Sequence, residues 1–478
     1  MNYRVILHTL GYVLCCEALC MLLPLICGMI YGEGEIYTFL ISIIICSVIG
    51  FLLTRIKPKT KNMYAREGFI IVALSWIVIS LFGALPFVLS GSIPSFVDAL
   101  YETASGFTTT GASILRDVES LPKSMLFWRS FTHWIGGMGV LVFLVAFLPL
   151  SGGSNVFLIK AESPGPSVSK LVPKVRTTAK ILYTIYTSMT LLQILLLVIG
   201  KMPLFDAITL AFGTAGTGGF AIKNSGLADY TSYQQIVVTI FMIFFGVDFT
   251  FYYLLISRKI KSAFSMEEVR TYFIIIIIAI LVITLNCYGY YESLFETVKH
   301  TAFQVGSIIT TTGYSTTDFD MWPQLSKTIL MLLMFIGACA GSTGGGIKVS
   351  RIMILFKSVV KEIIIAAHPK RAHKICINNK PVEHEVLRRI NVFMVAYCTI
   401  FIVSLLIISI DNFDFTTNFS AVLANINNIG PGFSKVGPIC NYSEYSDLSK
   451  MVLAFDMIIG RLEIFPILIL LSPKTWRK

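Results

Sequence analysis

Four short polar runs, each closed by a glycine, interrupt an otherwise apolar chain at intervals of about a hundred residues. They are Thr108-Thr109-Thr110-Gly111, Ala215-Gly216-Thr217-Gly218, Thr310-Thr311-Thr312-Gly313 and Asn427-Asn428-Ile429-Gly430. A helix-length stretch precedes each run and begins near a carboxylate: Asp98, Asp206, Glu296 and Asp414. A long apolar segment flanks each unit on both sides. With 55% hydrophobic and only 14% charged residues, the chain cannot hide its apolar surface from water, and its solvent is lipid. In lipid every backbone N–H and C=O needs a partner, so irregular backbone survives only inside protein or along an aqueous cavity. The four runs therefore read as re-entrant loops within a helical bundle.

Apolar stretches of spanning length fall at about 5–29, 36–54, 68–90, 126–149, 178–200, 233–256, 271–289, 325–362, 387–410 and 450–471. That even number puts both termini on one side. Alternate connections carry Arg55, Lys57, Lys59, Lys61 and Arg66, then Lys160, Lys170, Lys174, Arg176 and Lys180, then Arg258, Lys259, Lys261 and Arg270. The basic residues from Lys348 to Arg389 fall on the same side, as do Arg4, Lys474, Arg477 and Lys478. The positive-inside rule makes that side cytoplasmic. The net charge of +11 is the asymmetry that orients the chain in a bilayer, which excludes nucleic acid as its explanation. The first apolar segment is too long for a signal core and reads as a retained helix. Cys15, Cys16, Cys20, Cys27, Cys46, Cys287 and Cys398 lie in apolar helices as small hydrophobes, without metal-ligand spacing.

The expected fold is an all-α polytopic membrane protein. Four pseudo-symmetric units, each a helix, pore helix, filter loop and helix, surround one pore behind an extra N-terminal helix pair. The divisions are 1–56 for the pair, 57–160, 161–260 and 261–365 for three units, and 366–478 for the fourth, preceded by a cytoplasmic loop at about 366–386. Four such loops can set a ring of backbone carbonyls around a dehydrated cation. The candidate ion ligands are Thr109, Thr110, Gly111, Gly216, Thr217, Gly218, Thr311, Thr312, Gly313, Asn428, Ile429 and Gly430. Each short helix holds its acidic start outside and aims its negative C-terminal end at the ion. The fourth loop carries amides where the others carry hydroxyls, so the ring is only pseudo-symmetric.

A second irregular segment, Gly337-Ala338-Cys339-Ala340-Gly341-Ser342-Thr343-Gly344-Gly345-Gly346-Ile347-Lys348, sits inside the 325–362 span. Its glycines cost a helix several kcal/mol, at about 1 kcal/mol each relative to alanine, so the helix should break here. The spacing fails as a phosphate-binding loop, because Ile347 separates Gly346 from Lys348 and no strand precedes it. Two readings stand: close packing of small residues, or a mobile gate below the third filter loop. Arg461, in Gly460-Arg461-Leu462-Glu463, also has two. It pairs structurally with Glu463 or Asp456, or it faces the permeation path and opposes a cation. Asp248 is a counter-charge or a packing carboxylate, and His133 reads as a hydrogen-bonded packing residue followed by the close-contact stretch Gly136-Gly137-Met138-Gly139.

Together the four loops, the stretch from Trp128 to Gly139, the stretch from Gly337 to Lys348 and Gly460-Arg461-Leu462-Glu463 resemble the Trk/Ktr/HKT superfamily of potassium transport proteins. The resemblance covers essentially the whole chain, and the N-terminal pair makes it most similar to the TrkH type. It implies potassium as the transported ion, Gly111, Gly218, Gly313 and Gly430 as filter glycines, 337–348 as an intramembrane gate and Arg461 as a pore arginine. Some relatives replace the first glycine by serine and favour sodium, so Gly111 implies potassium. The resemblance also implies a homodimer with one pore per protomer, above cytosolic nucleotide-binding regulatory subunits that this chain does not itself contain. Asp248 departs from an asparagine common in relatives.

Two transport mechanisms remain open from sequence: a gated potassium-selective pore, or symport of potassium with sodium or protons. The four units run in one direction, whereas inverted repeats would favour coupling. No convergent nucleophile, metal cluster or acid–base pair supports an enzyme.

Overall fold

The computed structural model describes residues 1–57, 64–139, 175–369 and 374–476. Among them, six helices are long and apolar enough to cross a membrane: Tyr3–Tyr31, Ile36–Thr54, Ala65–Leu89, Thr177–Ile199, Glu267–Asn286 and His384–Asp411. The chain is thus an all-helical, multi-pass membrane protein. Several expected spans are not straight rods. The 233–256 stretch divides into Ser232–Phe245 and Phe249–Ile256, bent by 92°. Gly246 and Val247 occupy the break, and Asp248 caps the second half by accepting from the Thr250 N–H at 2.8 Å.

The 325–362 stretch becomes Gln324–Ile336 and Val349–Ala367, separated by the glycine-rich segment. The last expected span becomes Asp447–Arg461 and Phe465–Leu471, broken where Glu463 and Ile464 take φ of 54° and 73°. A β-branched residue at positive φ is costly, so surrounding packing imposes this break. The fourth span begins as Lys123–Gly137. Its continuation at 140–149 lies outside the described residues, as do Lys59, Lys61, Lys160, Lys170, Lys174, Lys370, Arg371, Arg477 and Lys478.

Four short helices, Phe96–Phe107, Leu204–Gly216, Leu294–Ile309 and Phe415–Ile426, carry the four glycine-containing loops. At 12 to 16 residues they fall short of the roughly 20 a bilayer requires. Their starts follow capping rules. Ser95 accepts from the Asp98 N–H, Ser293 from the Glu296 N–H and Asp414 from the Thr417 N–H, while Asp206 lies in its helix's first turn. Three carboxylates thus sit in a first turn and the fourth is the cap, where the helix dipole favours negative charge.

The polar stretch near 366–386 holds a two-stranded hairpin, Cys376–Ile377 with Lys380–Pro381. Its turn, Asn378-Asn379, takes φ of 49° and 60°, the primed geometry that matches strand twist.

The N-terminal helix Tyr3–Cys20 packs on Ile36–Thr54 and on Ala65–Gly83. The first crossing is made by glycines. A Cβ on Gly50 would stand 2.8 Å from the Cys15 sulfur and 3.0 Å from the Gly11 carbonyl oxygen. Small residues let backbones approach in lipid, where dispersion replaces hydrophobic driving force. Gly50→Ala should therefore force this pair apart, at about 1–3 kcal/mol, the usual range for overpacking. Gly34→Ala, at a position with nothing within 4 Å, is the control. Thermal unfolding in detergent should shift down for the first variant alone, and equal midpoints would contradict a glycine-dependent crossing.

Candidate functional site

Each short helix ends in the same turn. The amide of Thr109 bonds the Gly106 carbonyl at 3.2 Å and that of Thr110 bonds Ser105 at 2.9 Å. In the second unit Thr217 bonds Thr214 at 3.1 Å and Gly218 bonds Gly213 at 2.8 Å. In the third, Thr311 bonds Ile308 at 3.1 Å and Thr312 bonds Ser307 at 2.8 Å; in the fourth, Asn428 bonds Asn425 at 3.2 Å and Ile429 bonds Ala424 at 2.8 Å. This is the Schellman pattern, in which two amides satisfy carbonyls that a helix end would leave open. Its left-handed position normally takes glycine. Here it is Thr109, Thr217, Thr311 and Asn428, with φ of 55–58°. Each costs roughly 1 kcal/mol or more for a residue with a Cβ. A glycine at positive φ follows two residues later: Gly111, Gly219, Gly313 and Gly430.

These turns correct the register of the second unit. Thr217, Gly218 and Gly219 match Thr109, Thr110 and Gly111, so the expected triplet Gly216, Thr217, Gly218 begins one residue early. Gly216 corresponds to Thr108, Thr310 and Asn427 at the helix end. A closed pattern of contacts requires the same shift. A Cβ on Gly111 would fall on the Gly218 carbonyl oxygen, one on Gly219 on that of Thr312, and one on Gly313 on that of Ile429. A Cβ on Gly430 would stand 2.7 Å from the Thr110 oxygen. In every case the oxygen belongs to the residue just before the neighbouring unit's glycine. The four loops therefore form one ring, each glycine backing onto the next loop, with no room for a side chain.

Buried side chains hold this ring from behind. Thr108 and Thr110 share a hydroxyl contact at 2.8 Å, as do Thr310 and Thr312 at 2.7 Å. Asn428 donates to the Thr110 hydroxyl at 3.0 Å and to the Met457 carbonyl at 2.9 Å, which joins units four and one. The Tyr442 hydroxyl donates to the Gly430 carbonyl at 2.8 Å, and the Tyr314 hydroxyl to Leu210 at 3.1 Å. Arg129 pairs with Glu102 at 2.7 Å, and both side chains are buried. Glu102 also accepts from the Ile114 N–H at 3.0 Å, and Arg129 donates to the Ala221 carbonyl at 3.1 Å. The pair thus fixes the segments after the first and second glycines. His133, wholly buried, bonds the Gly106 carbonyl and the Phe220 amide.

The glycine-rich segment lies directly against the ring. The Gly345 N–H donates to the Thr311 hydroxyl at 2.7 Å, and a Cβ on Gly345 would stand 2.5 Å from the Asn427 carbonyl oxygen. Gly337, Gly341 and Gly346 take φ of 75–80°, and Lys348 takes 79°. The segment fills the break in unit two: Cys339 N–H bonds Gly246 at 3.0 Å, Thr343 Oγ bonds Phe245 at 3.2 Å, and Phe249 N–H bonds Gly341 at 3.1 Å. Ser342 Oγ donates to Cys339 at 2.7 Å, and Lys348 Nζ donates to the Gly344 carbonyl, so the segment is also tied to itself.

Arg461 donates to the Thr343 carbonyl at 2.9 Å, and to the carbonyls of Gly136 and Gly137. The expected carboxylates are engaged elsewhere. Glu463 pairs with Arg351, and Asp456 accepts from the Ser404 hydroxyl at 2.7 Å. Beside the segment lies a cavity of about 730 Å³, lined by residues including Trp76, Asp248, Glu268, Lys348 and Arg461.

Two acidic neighbours escaped the sequence reading. Glu268 accepts from Ala340 N–H at 2.7 Å and from Ser350 N–H at 3.1 Å, gripping both arms of the glycine-rich segment. Glu267 pairs with Lys357, and its own N–H is capped at 2.7 Å by Asn378, at the tip of the hairpin. Gly219 left a readable signal: Gly219-Phe220 parallels Gly313-Tyr314, and alignment on the aromatic gives the observed register.

Comparison with known proteins identifies the family. The family described as "TrkH: Cation transport protein" matches residues 35–478. The chain is 35% identical over 488 residues to the Trk system potassium uptake protein TrkH of Salmonella typhimurium, covering 100% of both chains. It is 34% identical to the Trk system potassium uptake protein TrkG of Escherichia coli, covering 100% of this chain and 99% of that one. The crystal structure of the potassium transporter TrkH from Vibrio parahaemolyticus superposes with a TM-score of 0.90 at 31% identity, over 100% of both chains. With its short helices, its ring of glycine-backed loops and this full-length similarity, the chain belongs to the TrkH family of cation transport proteins.

Proposed function

We propose that the chain takes up potassium across the bacterial cytoplasmic membrane, with the glycine-backed ring as its selectivity filter. One observation carries the reading: each of Gly111, Gly219, Gly313 and Gly430 backs onto the carbonyl preceding the next glycine, cyclically and with no side chain between. Such a ring offers carbonyl dipoles in place of a hydration shell. Buried oxygens add support. Thr109 Oγ1 and Asn428 Oδ1 lack a hydrogen-bond partner among the described residues, and both sit at the left-handed positions. The ion ligands in this reading are Thr109, Thr110, Gly111, Thr217, Gly218, Gly219, Thr311, Thr312, Gly313, Asn428, Ile429 and Gly430. The four units enclose one pore, both termini are cytoplasmic, and two protomers assemble over a cytosolic nucleotide-binding regulator.

The glycine-rich segment 337–348 is the gate. It lies against Thr311 and Asn427, and Arg461 ties it to the Gly136–Gly137 end of the first unit's helix. A channel-like mechanism fits better than symport, because the carboxylates Asp248, Glu463 and Asp456 have structural work. Asp248 is a helix cap, Glu463 holds Arg351, and Asp456 is bonded to Ser404.

The filter reading is tested with purified protein in liposomes. Gly111→Ser and Gly219→Ser should each lower the potassium-over-sodium flux ratio by about tenfold, equivalent to roughly 1.4 kcal/mol. Wild-type ratios in both folded variants would remove the ring from the ion path. The gate makes separate predictions. Arg461→Ala removes a cationic obstacle and a tie to Thr343 together, so potassium flux should rise several-fold. Deleting Ala340 to Gly344 should raise basal flux as well. Glu268→Ala, which frees both arms of the segment, should raise it to a lesser degree. Folded variants with unchanged or abolished flux would make 337–348 structural packing.

A further inference from the structure

The second loop of the ring is held from behind by a histidine of the neighbouring unit, and its chemistry is fully specified. His133 lies on Lys123–Gly137 with no exposure to solvent. Its Nε2 is 3.2 Å from the Phe220 amide, which can only donate, so Nε2 carries the lone pair. The proton therefore sits on Nδ1, which donates to the Gly106 carbonyl at 2.7 Å. One neutral ring thus spans from the last turn of the first short helix to the residue immediately after Gly219.

Two further contacts make this a mould. A Cβ on Gly218 would overlap the imidazole, so the ring fills the space behind that residue. Phe220 lies between two side chains one helical turn apart on the same helix: the His133 ring at 4.2 Å, and the Arg129 guanidinium at 3.9 Å from its centroid. Arg129 in turn bonds the Ala221 carbonyl and Glu102. The backbone from Gly218 to Ala221 thus has fixed partners on the side away from the ring, and the carbonyls of Gly218 and Gly219 take their positions from them. The corresponding joints are built differently. Tyr314 reaches Leu210 through its hydroxyl, and Pro431, after Gly430, has no amide to offer.

We propose that His133 is a positioning residue for cation selectivity: it fixes the carbonyls of Gly218 and Gly219 through the Phe220 amide. The proposal rests on the ring being the filter. Without the imidazole acceptor, the Phe220 N–H is left buried and unpaired, and the loop gains freedom to close around a smaller ion.

The test uses the full-length protein in liposomes, with potassium and sodium fluxes measured for wild type, His133→Gln, His133→Phe and Gly219→Ser. His133→Gln keeps one donor and one acceptor and should hold the flux ratio within about twofold of wild type, whereas His133→Phe should lower it about fivefold, the worth of one hydrogen bond. A folded His133→Phe with the wild-type ratio overturns the proposal while leaving the filter intact, provided Gly219→Ser still loses selectivity. If Gly219→Ser is also unchanged, the filter reading fails first.

Should His133→Phe not fold, wild-type protein labelled with ¹⁵N-histidine decides. The resonance lost in His133→Gln should report a neutral ring protonated at Nδ1, and its Nε2 signal should move when potassium is replaced by sodium. An Nε2 signal indifferent to the ion, or a proton on Nε2, overturns the proposal.

Discussion

A backbone carbonyl turned away from its own helix inside a membrane has no water to fall back on, and the architecture answers that constraint. Each short helix stops within the bundle, where its last carbonyls would be orphans. The Schellman turns satisfy part of the deficit, and buried threonine, asparagine and tyrosine groups take up more. Beyond the turns, the carbonyls of Thr110, Gly218, Thr312 and Ile429 lie against the neighbouring glycines around the ring. Strain at Thr109, Thr217, Thr311 and Asn428 accompanies this arrangement, and the shell of Arg129, Glu102, His133 and Tyr442 offsets it. Irregular backbone at membrane depth is tolerable here because it is packed within protein and away from lipid.

Much of this was legible in the residues, because hydropathy and glycine are strong signals in lipid. The short helices and their acidic starts stand where the hydropathy and the carboxylates put them, and the loops follow, the second shifted by one residue. The break at 337–348 follows from helix propensity alone. Other features were not legible for reasons that can be named. Hydropathy cannot tell a straight span from one bent by 92° at Gly246–Asp248, since both halves remain apolar. The expected register of the second loop ended on Gly218 because two glycines are adjacent there, and the helix-end turn, the cyclic contacts and the aromatic after Gly219 all move it to Gly219. Ion-pair partners are hidden too. Arg461 stands two residues from Glu463, yet Arg351, more than a hundred residues away in sequence, holds that carboxylate.

The glycine-rich segment couples several parts of the molecule at one place. It plugs the bend of unit two, touches the third and fourth loops and accepts a hydrogen bond from Arg461. Both its arms meet Glu268, whose neighbour Glu267 is capped by Asn378 of the hairpin. A continuous set of hydrogen bonds therefore runs from the hairpin to the underside of the ring. Polar contacts of this kind can be exchanged one at a time, unlike the close packing around Trp128.

The four joints between loops are chemically unlike: a histidine, a tyrosine, a proline and an asparagine–threonine pair. In a ring built from four identical subunits, one codon change would be felt at every joint at once. Encoded in a single polypeptide, the same change reaches one quarter of the circle. Inheritance can therefore adjust the ring in small instalments, and a substitution too severe for all four positions together is survivable at one.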